Sequence, residues 1–428
     1  MPVVAIAAIV MVVFLFMKFP VFAAVLAGSL TYFALTPGIA TRIFAQRVVT
    51  GMESIPLLAI PFFVCAGVFM NYSGVTKRVM DFCEVLMARV PGGLAQVNVL
   101  LSTLMGGLSG SNLADAAMEA KMLVPEMERK GFSKEFSSVV TAVSAMITPL
   151  IPPGIAMIIY GSIANVSIGK LFIAGIGPGL LLCISMMLLC GVISTKRGYT
   201  SSTKEGRVTA REFLRAFVHA IPPLLLPVII IGGIRLGIFT PTEAGAVAIV
   251  YSLILGFAYR EMKFKDLLQG LKETILTTSS IMMIVGAASS FAWILTREQI
   301  PQKVTSFIIG SISNKYVFLM IVNFLLLFIG MFIEGNAAMI VLVPILAPVA
   351  RAYGIDDIQF AMTFIFNMAI GCVTPPMGTL IFVTCGITGC KIKDFVKESV
   401  PFYFLLFGCL LLLTFVPLFS IGIVNLIF

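Results

Sequence analysis

No charged residue occurs between positions 400 and 428. An apolar run longer than about 18 residues reads as a membrane-spanning helix. Runs of the same kind recur at about 3–17, 20–36, 55–72, 133–163, 168–195, 220–238, 242–258, 275–296, 356–388 and 400–427. Composition agrees: apolar residues make up 59% and charged residues 11%, against roughly 45–50% and 25% in soluble domains. There are too few polar side chains to cover a water-soluble fold, so an all-α polytopic membrane protein is expected. The net charge of +9 does not point to nucleic acid, because the basic residues fall in short loops between apolar runs, where they orient helices. The 8 cysteines form no C-x-x-C pair and read as small hydrophobes. A single histidine, His219, argues against a histidine-built metal site. The N-terminal run has no basic residue ahead of it, so it is expected to be a retained helix rather than a cleaved signal.

Charge sets the expected orientation. The polar stretch 196–215 carries Lys196, Arg197, Lys204, Arg207, Arg211 and Arg215 against Glu205 and Glu212, which places it on the cytoplasmic side. Counting crossings outward puts Lys77, Arg78, Lys134, Arg260, Lys263, Lys391 and Lys393 inside and both termini outside. The stretches 38–50, 74–90, 263–274 and 299–313 are amphipathic and expected to lie along the membrane surface.

Two apolar stretches differ from the rest. Residues 94–125 are interrupted by Gly106-Gly107-Leu108-Ser109-Gly110-Ser111-Asn112, and residues 316–350 by Glu334-Gly335-Asn336. Each half is short for a span, so both are expected to be re-entrant helical hairpins. A duplication runs through the chain as well. Pro125 and Pro348 are 223 apart (348 − 125), as are Gly131 and Gly354, Pro152 and Pro375, Pro153 and Pro376, and Pro178 and Pro401. Prolines are tolerated singly in membrane helices, but paired Pro-Pro steps at one offset behind each hairpin read as two copies of one unit. Each copy has five crossings, and an odd number forces the second to be inverted. Inverted repeats with broken helices are the architecture of secondary transporters, whose site lies where the copies meet.

Irregular backbone at membrane depth must be buried or line a cavity. The hairpin tips and Pro-Pro breaks free carbonyl oxygens for a cation such as sodium, and helix N-termini for an anion. One candidate sodium site comprises Ser109, Ser111, Asn112, Thr148, Pro153 and Gly154. The other comprises Gly335, Asn336, Thr374, Gly378 and Thr379. An organic carboxylate fits between the tips, near the helices that begin after Asn112 and Asn336, with Ser111, Asp115, Pro152, Asn336 and Pro376 as its expected neighbours. Close packing is the alternative role for any one of these small residues. Asp115 and Glu119 follow the first tip at helical spacing, and ionisable groups in apolar surroundings are functional candidates; Asp115 also suits a helix start. Glu334 on the second tip is expected to face a cation. Arg235 and Glu243 flank an outside turn and read as surface residues.

Gly107-Leu108-Ser109-Gly110 is also a G-x-S-G string of the kind found in intramembrane serine proteases. A serine nucleophile needs an adjacent base, and His219 lies at the edge of the cytoplasmic loop. Neither a zinc-protease motif nor a P-loop is present. A transporter is therefore expected rather than an enzyme, with a stand-alone dicarboxylate symporter or a cation antiporter of related architecture as further readings.

Several strings together resemble the large membrane subunit of tripartite ATP-independent periplasmic (TRAP) transporters over nearly the whole chain. They are Gly107-Leu108-Ser109-Gly110-Ser111 with Ala114-Asp115, Ile151-Pro152-Pro153, Ile159-Tyr160-Gly161, Ser167-Ile168-Gly169 and Pro241-Thr242-Glu243-Ala244. The second half adds residues 330–338, Pro344-Ile345-Leu346-Ala347-Pro348 and Thr374-Pro375-Pro376-Met377-Gly378. The resemblance implies sodium-driven import of an organic acid, such as a sialic acid or a C4-dicarboxylate, across the bacterial inner membrane. It implies two partners: a small four-helix membrane subunit, here a separate chain, and a soluble periplasmic substrate-binding protein. It also implies an elevator, in which a transport domain holding the hairpins slides against a scaffold. The chain then divides into a first repeat over 1–195 (scaffold 1–90, hairpin and broken helix 91–165), a cytoplasmic linker over 196–218, and a second repeat over 219–428 (scaffold 219–313, hairpin and broken helix 314–390). One departure is Gly154, where the family often has Ser; a hydroxyl ligand is lost there and the backbone carbonyl remains.

Overall fold

The computed structural model describes residues 2–17, 19–199 and 209–427, and these form helices with no strand among them. Among the described residues six helices are long and apolar enough to cross a membrane, or up to eight if each of two further pairs, bent by 43° and 56°, is one span. The expected crossings are met unevenly. At the N-terminus, Val3–Phe16 and Val21–Leu35 have 14 and 15 residues. At about 1.5 Å per residue they reach roughly 21–23 Å, short of a hydrocarbon core of about 30 Å. The surface helix expected at 263–274 is continuous with the next span in Phe264–Arg297, a helix of 34 residues. It contains no proline, and its Gly270 abuts the Phe69 ring rather than ending the helix. Helix Ala210–Arg235 begins inside the expected linker, because Thr209 and Glu212 cap its first turn reciprocally. The linker residues Lys204, Glu205 and Arg207 lie outside the described residues. The last expected span is divided into Val400–Phe415 and Leu418–Ile427, at Pro417, which has no N–H to donate.

Both interrupted stretches fold back on themselves. Gly93–Ser109 and Asn112–Arg129 are joined through Gly110, in the left-handed region at φ 65°, and Ser111. Ser102 Oγ donates to Glu119 Oε2 at 2.6 Å, which pairs positions nearly equidistant from the turn. The interruption is shorter than the expected 106–112. The helix continues through Gly106 and Gly107, whose missing side chains permit close packing: a Cβ on Gly106 would lie 2.9 Å from Thr148 Cα. In the second hairpin, Lys315–Gly330 is followed by Gly335–Ala352. The Phe318 and Tyr353 rings near its two ends stack at 4.8 Å.

The offset of 223 extends from sequence marks to structure. Gly131 and Gly354 end matched helices at φ 88° and 69°. Behind each, an amide reaches back five residues: Phe132 N–H to the Met127 carbonyl at 3.0 Å, and Ile355 N–H to the Ala350 carbonyl at 3.1 Å. Lys134 and Glu128 pair at 3.9 Å, and Asp357 and Arg351 pair at 2.7 Å with the signs exchanged. Deeper in, Ser144 Oγ donates to Asn98 at 3.1 Å, and Asn367, 223 residues after Ser144, donates to Asn323 at 3.1 Å.

The hairpins are rooted at opposite ends of the first broken helix. The first meets its start, through Lys134 and Glu128. The second meets its end, where Arg351 donates to the Ala164 carbonyl at 2.5 Å. Other contacts respect the same two ends. Arg197 pairs with Glu398 at 2.6 Å and Arg78 with Glu261 at 3.9 Å. Each of these pairs joins residues that charge counting places on one side.

Candidate functional site

The first broken helix runs from Lys134 to Ser144, tightens into a 3-10 turn over Ala145–Leu150, and restarts at Ile155. Its prolines explain the break. The Pro149 carbonyl would take its helical bond from residue 153, and Pro153 has no N–H. That carbonyl instead faces Gly154, where an added Cβ would lie 2.5 Å away. The second break repeats the arrangement between Cys372 and Thr379. The Cys372 carbonyl would look to Pro376, and a Cβ on Gly378 would lie 2.7 Å from it. Both Pro-Pro bonds are cis. A side chain on Gly154 would meet backbone.

The first tip is tied to the first break by one carboxylate. Asp115 is fully buried. Its Oδ2 accepts from Ser109 Oγ and from Thr148 Oγ1, both at 2.7 Å, while Oδ1 has no hydrogen-bond partner. Ser111 caps the following helix by accepting from Ala114 N–H at 3.4 Å, and the Pro153 carbonyl would lie 3.0 Å from a Cβ on Gly110. Ser109, Ser111, Thr148, Pro153 and Gly154 are therefore neighbours. Glu119 sits one turn beyond Asp115, buried, with Oε1 unpartnered.

The second tip has a different chemistry. Glu334 caps the helix that starts at Gly335, accepting from Ala337 N–H at 3.1 Å. Asn112 and Asn336 thus lie within the first turns of their helices rather than before them, since Ser111 and Glu334 take the cap positions. Thr379 Oγ1 is buried without a hydrogen-bond partner, whereas Thr374 Oγ1 donates to the Ile370 carbonyl at 2.7 Å.

A cavity of about 380 Å³ joins these parts. The first tip supplies Gly110, Ser111 and Asn112, the second Glu334, Gly335 and Asn336, and the breaks supply Pro149, Ile155 and Cys372. Its size lies within the usual range for small-molecule sites, about 300–1,000 Å³. Of the expected substrate neighbours, Ser111 and Asn336 line it. Asp115 and Pro152 are buried and Pro376 is exposed, and none of the three lines it. Thr374, Gly378 and Thr379 do not line it either. The lining also includes Thr277 and Ser280 of the long helix Phe264–Arg297, which the sequence reading passes over. The available signal is Thr277-Thr278-Ser279-Ser280, four hydroxyls inside an apolar run. His219 makes its contact elsewhere, through Nδ1 to the Arg215 carbonyl at 2.6 Å.

Comparison with known proteins gives one family. The model described as "Tripartite ATP-independent periplasmic transporter, DctM component" matches residues 8–419. The chain is 39% identical over 408 residues to the sialic acid TRAP transporter large permease protein SiaM of Vibrio cholerae, covering 95% of each. It is 37% identical over 401 residues to the C4-dicarboxylate TRAP transporter large permease protein DctM of Pseudomonas aeruginosa, covering 94% of this chain and 93% of that one. The crystal structure of the YdaH transporter of Alcanivorax borkumensis superposes with a TM-score of 0.60 at 14% identity over 87% of each chain, a likeness of fold alone. The relatives are transporter permeases, in keeping with the expectation of a transporter rather than an enzyme.

Proposed function

The chain belongs to the DctM component family of tripartite ATP-independent periplasmic transporters, and from that premise we propose that it is the subunit that carries a small organic acid across the bacterial inner membrane, coupled to sodium. The observation that carries this reading is the meeting of both hairpin tips on one cavity. The cargoes named for two relatives, sialic acid and C4-dicarboxylate, are carboxylates, and helix N-termini at the tips suit a carboxylate.

Sodium is assigned to the breaks. Each holds a carbonyl turned away from a helix ladder by proline, with hydroxyls beside it: Ser109 and Thr148 at the first, Thr379 at the second. Oxygen sets of this kind suit a hard monovalent cation. The two halves are read as inverted repeats, supported by the matched caps and ion pairs and by hairpins rooted at opposite ends of one broken helix. On that reading the hairpins and broken helices form a transport domain that slides against a scaffold containing Phe264–Arg297. A small four-helix membrane subunit and a periplasmic substrate-binding protein are the proposed partners.

The test is unfolding of the purified chain in sodium and in potassium. A ligand at a hundredfold excess over its dissociation constant stabilises a folded protein by about 2.7 kcal/mol. Sodium should raise the melting temperature of the wild type, and Asn112→Ala and Asn336→Ala should each lose part of the response. Equal behaviour in both salts, unchanged by either substitution, would remove sodium from the mechanism. Uptake into vesicles without a binding protein would favour a stand-alone symporter.

A further inference from the structure

Asp115 and Glu119 lie four residues apart in the helix Asn112–Arg129, on one face of it, and both residues are 0% exposed. Each has one oxygen with a donor and one without. Asp115 Oδ2 accepts from Ser109 and Thr148, and Glu119 Oε2 accepts from Ser102 at 2.6 Å. Asp115 Oδ1 and Glu119 Oε1 are buried with no hydrogen-bond partner. Among the described residues neither acid belongs to an ion pair. The elements packed against this helix bring no free cation to them. Gly93–Ser109 and Ala145–Leu150 have no ionisable side chain, and Thr379–Thr388 has only the thiol of Cys385. Lys134–Ser144 has Lys134 and Glu135 at its far end, where Lys134 pairs with Glu128. Lys121 and Arg129 of the helix itself are exposed, and Cys83 of Val75–Met87 adds a second thiol near Glu119. A carboxylate with an unmet oxygen is costly to bury, and two that lie one turn apart repel, so the pair does not hold two negative charges unaided. Asp115 has two hydroxyl donors and Glu119 has one, which makes Glu119 the member that takes a proton.

We propose that Glu119 is a proton-binding site linked to the first sodium site: it carries a proton while the first break holds no sodium, and releases it to solvent when sodium binds there. This linkage rests on the assignment of sodium to the first break, where Ser109 and Thr148 both bond to Asp115. Sodium beside those hydroxyls offsets the negative charge of Asp115, which is the charge that keeps Glu119 neutral. The O–H bond of Glu119 then breaks, its electron pair stays on the carboxylate, and Ser102 remains to donate to the anion. One positive charge enters and one leaves, so the net charge behind the first tip is unchanged. Such coupling is reciprocal: a proton on Glu119 weakens sodium binding by the same factor as sodium weakens the proton's.

The experiment uses the full-length purified chain in detergent, with sodium exchanged for potassium at constant ionic strength. Sodium binding is read from thermal stabilisation, and protons are counted with an indicator dye in weak buffer. For the wild type, the sodium concentration at half effect should fall by at least about threefold between about pH 6 and about pH 8, with about tenfold per pH unit as the limit for one proton exchanged. Sodium, but not potassium, should release up to one proton per chain. Glu119→Gln keeps an acceptor for Ser102 and matches the neutral acid in shape. Sodium should still stabilise it, at a concentration independent of pH and without proton release. Ser102→Ala removes the one donor to the ionised form, so at about pH 8 it should weaken sodium binding by at least about threefold; this variant decides the matter if Glu119→Gln does not fold. Sodium that stabilises the wild type equally at both pH values, or releases no proton, overturns the proton site and leaves sodium at the break. A pH dependence that survives in Glu119→Gln, or sodium binding unchanged in Ser102→Ala, overturns it as well. No stabilisation by sodium at either pH removes the sodium assignment and the proton site together.

Discussion

The two hairpins occupy matched positions but are secured by different physics. At the first, Asp115 gathers Ser109 and Thr148 beneath the tip. At the same offset the second copy has Ala338 for Asp115, Leu342 for Glu119 and Gly371 for Thr148. No carboxylate can do that work there, and backbone meets backbone instead: a Cβ on Gly371 would lie 2.6 Å from Gly330 Cα. The second tip's acid, Glu334, stands at the cavity. The two hairpins thus differ: one buries a carboxylate that ties its tip to a break, and the other has its carboxylate on the cavity lining.

The largest expected effect breaks the first fastening. Asp115→Ala leaves two buried hydroxyl donors without their acceptor, at about 1–3 kcal/mol for each. Chemical unfolding in detergent should report that loss; a change below about 1 kcal/mol would mean the carboxylate does not hold the first tip. The second fastening is steric. Gly371→Ala drives a methyl group into the Gly330 backbone and should cost about 1–3 kcal/mol. Gly335→Ala, whose nearest neighbour is 3.4 Å away, should stay within about 0.5 kcal/mol. If both glycine substitutions behave alike, close approach is not what distinguishes the second tip.

Smaller effects sharpen the matching itself. Gly131 and Gly354 have positive φ and nothing within 4 Å of an added Cβ. Alanine at either should therefore cost the backbone penalty alone, about 1–2 kcal/mol, and by the same amount. Unequal losses in thermal unfolding would show that the two caps are not equivalent. The smallest difference concerns the sign-exchanged ion pairs, which are partly exposed. Glu128→Ala should change stability by less than about 0.5 kcal/mol, and Arg351→Ala by up to about 1 kcal/mol, because Arg351 also holds the Ala164 carbonyl.

How much of this was legible in the sequence follows from the range of each interaction. Glycine and proline act on the backbone within a few residues, so the hairpin turns, both Pro-Pro breaks and the offset could be read directly. The duplicated ion pair could not be found by matching residue identity, since Glu128 and Lys134 correspond to Arg351 and Asp357; only the opposite charge within each pair is common. Gly106 and Gly107 read as a helix interruption because their partners, Thr148 and Pro227, are distant in the chain. Thr277 and Ser280 read as part of a span because nothing local tells a hydroxyl facing a cavity from one facing a neighbouring helix.

Local chemistry in the sequence therefore determined a helical membrane protein with two hairpins, two proline breaks and a repeated frame. Apolar length, missing N–H groups and permissive glycines act wherever they occur. Tertiary structure alone decided that both tips line one cavity, that Asp115 and Pro376 do not line it, and that Glu334 does. Those outcomes depend on which distant surfaces come together. A buried carboxylate must find donors wherever packing brings them, here six and thirty-three residues away in Ser109 and Thr148.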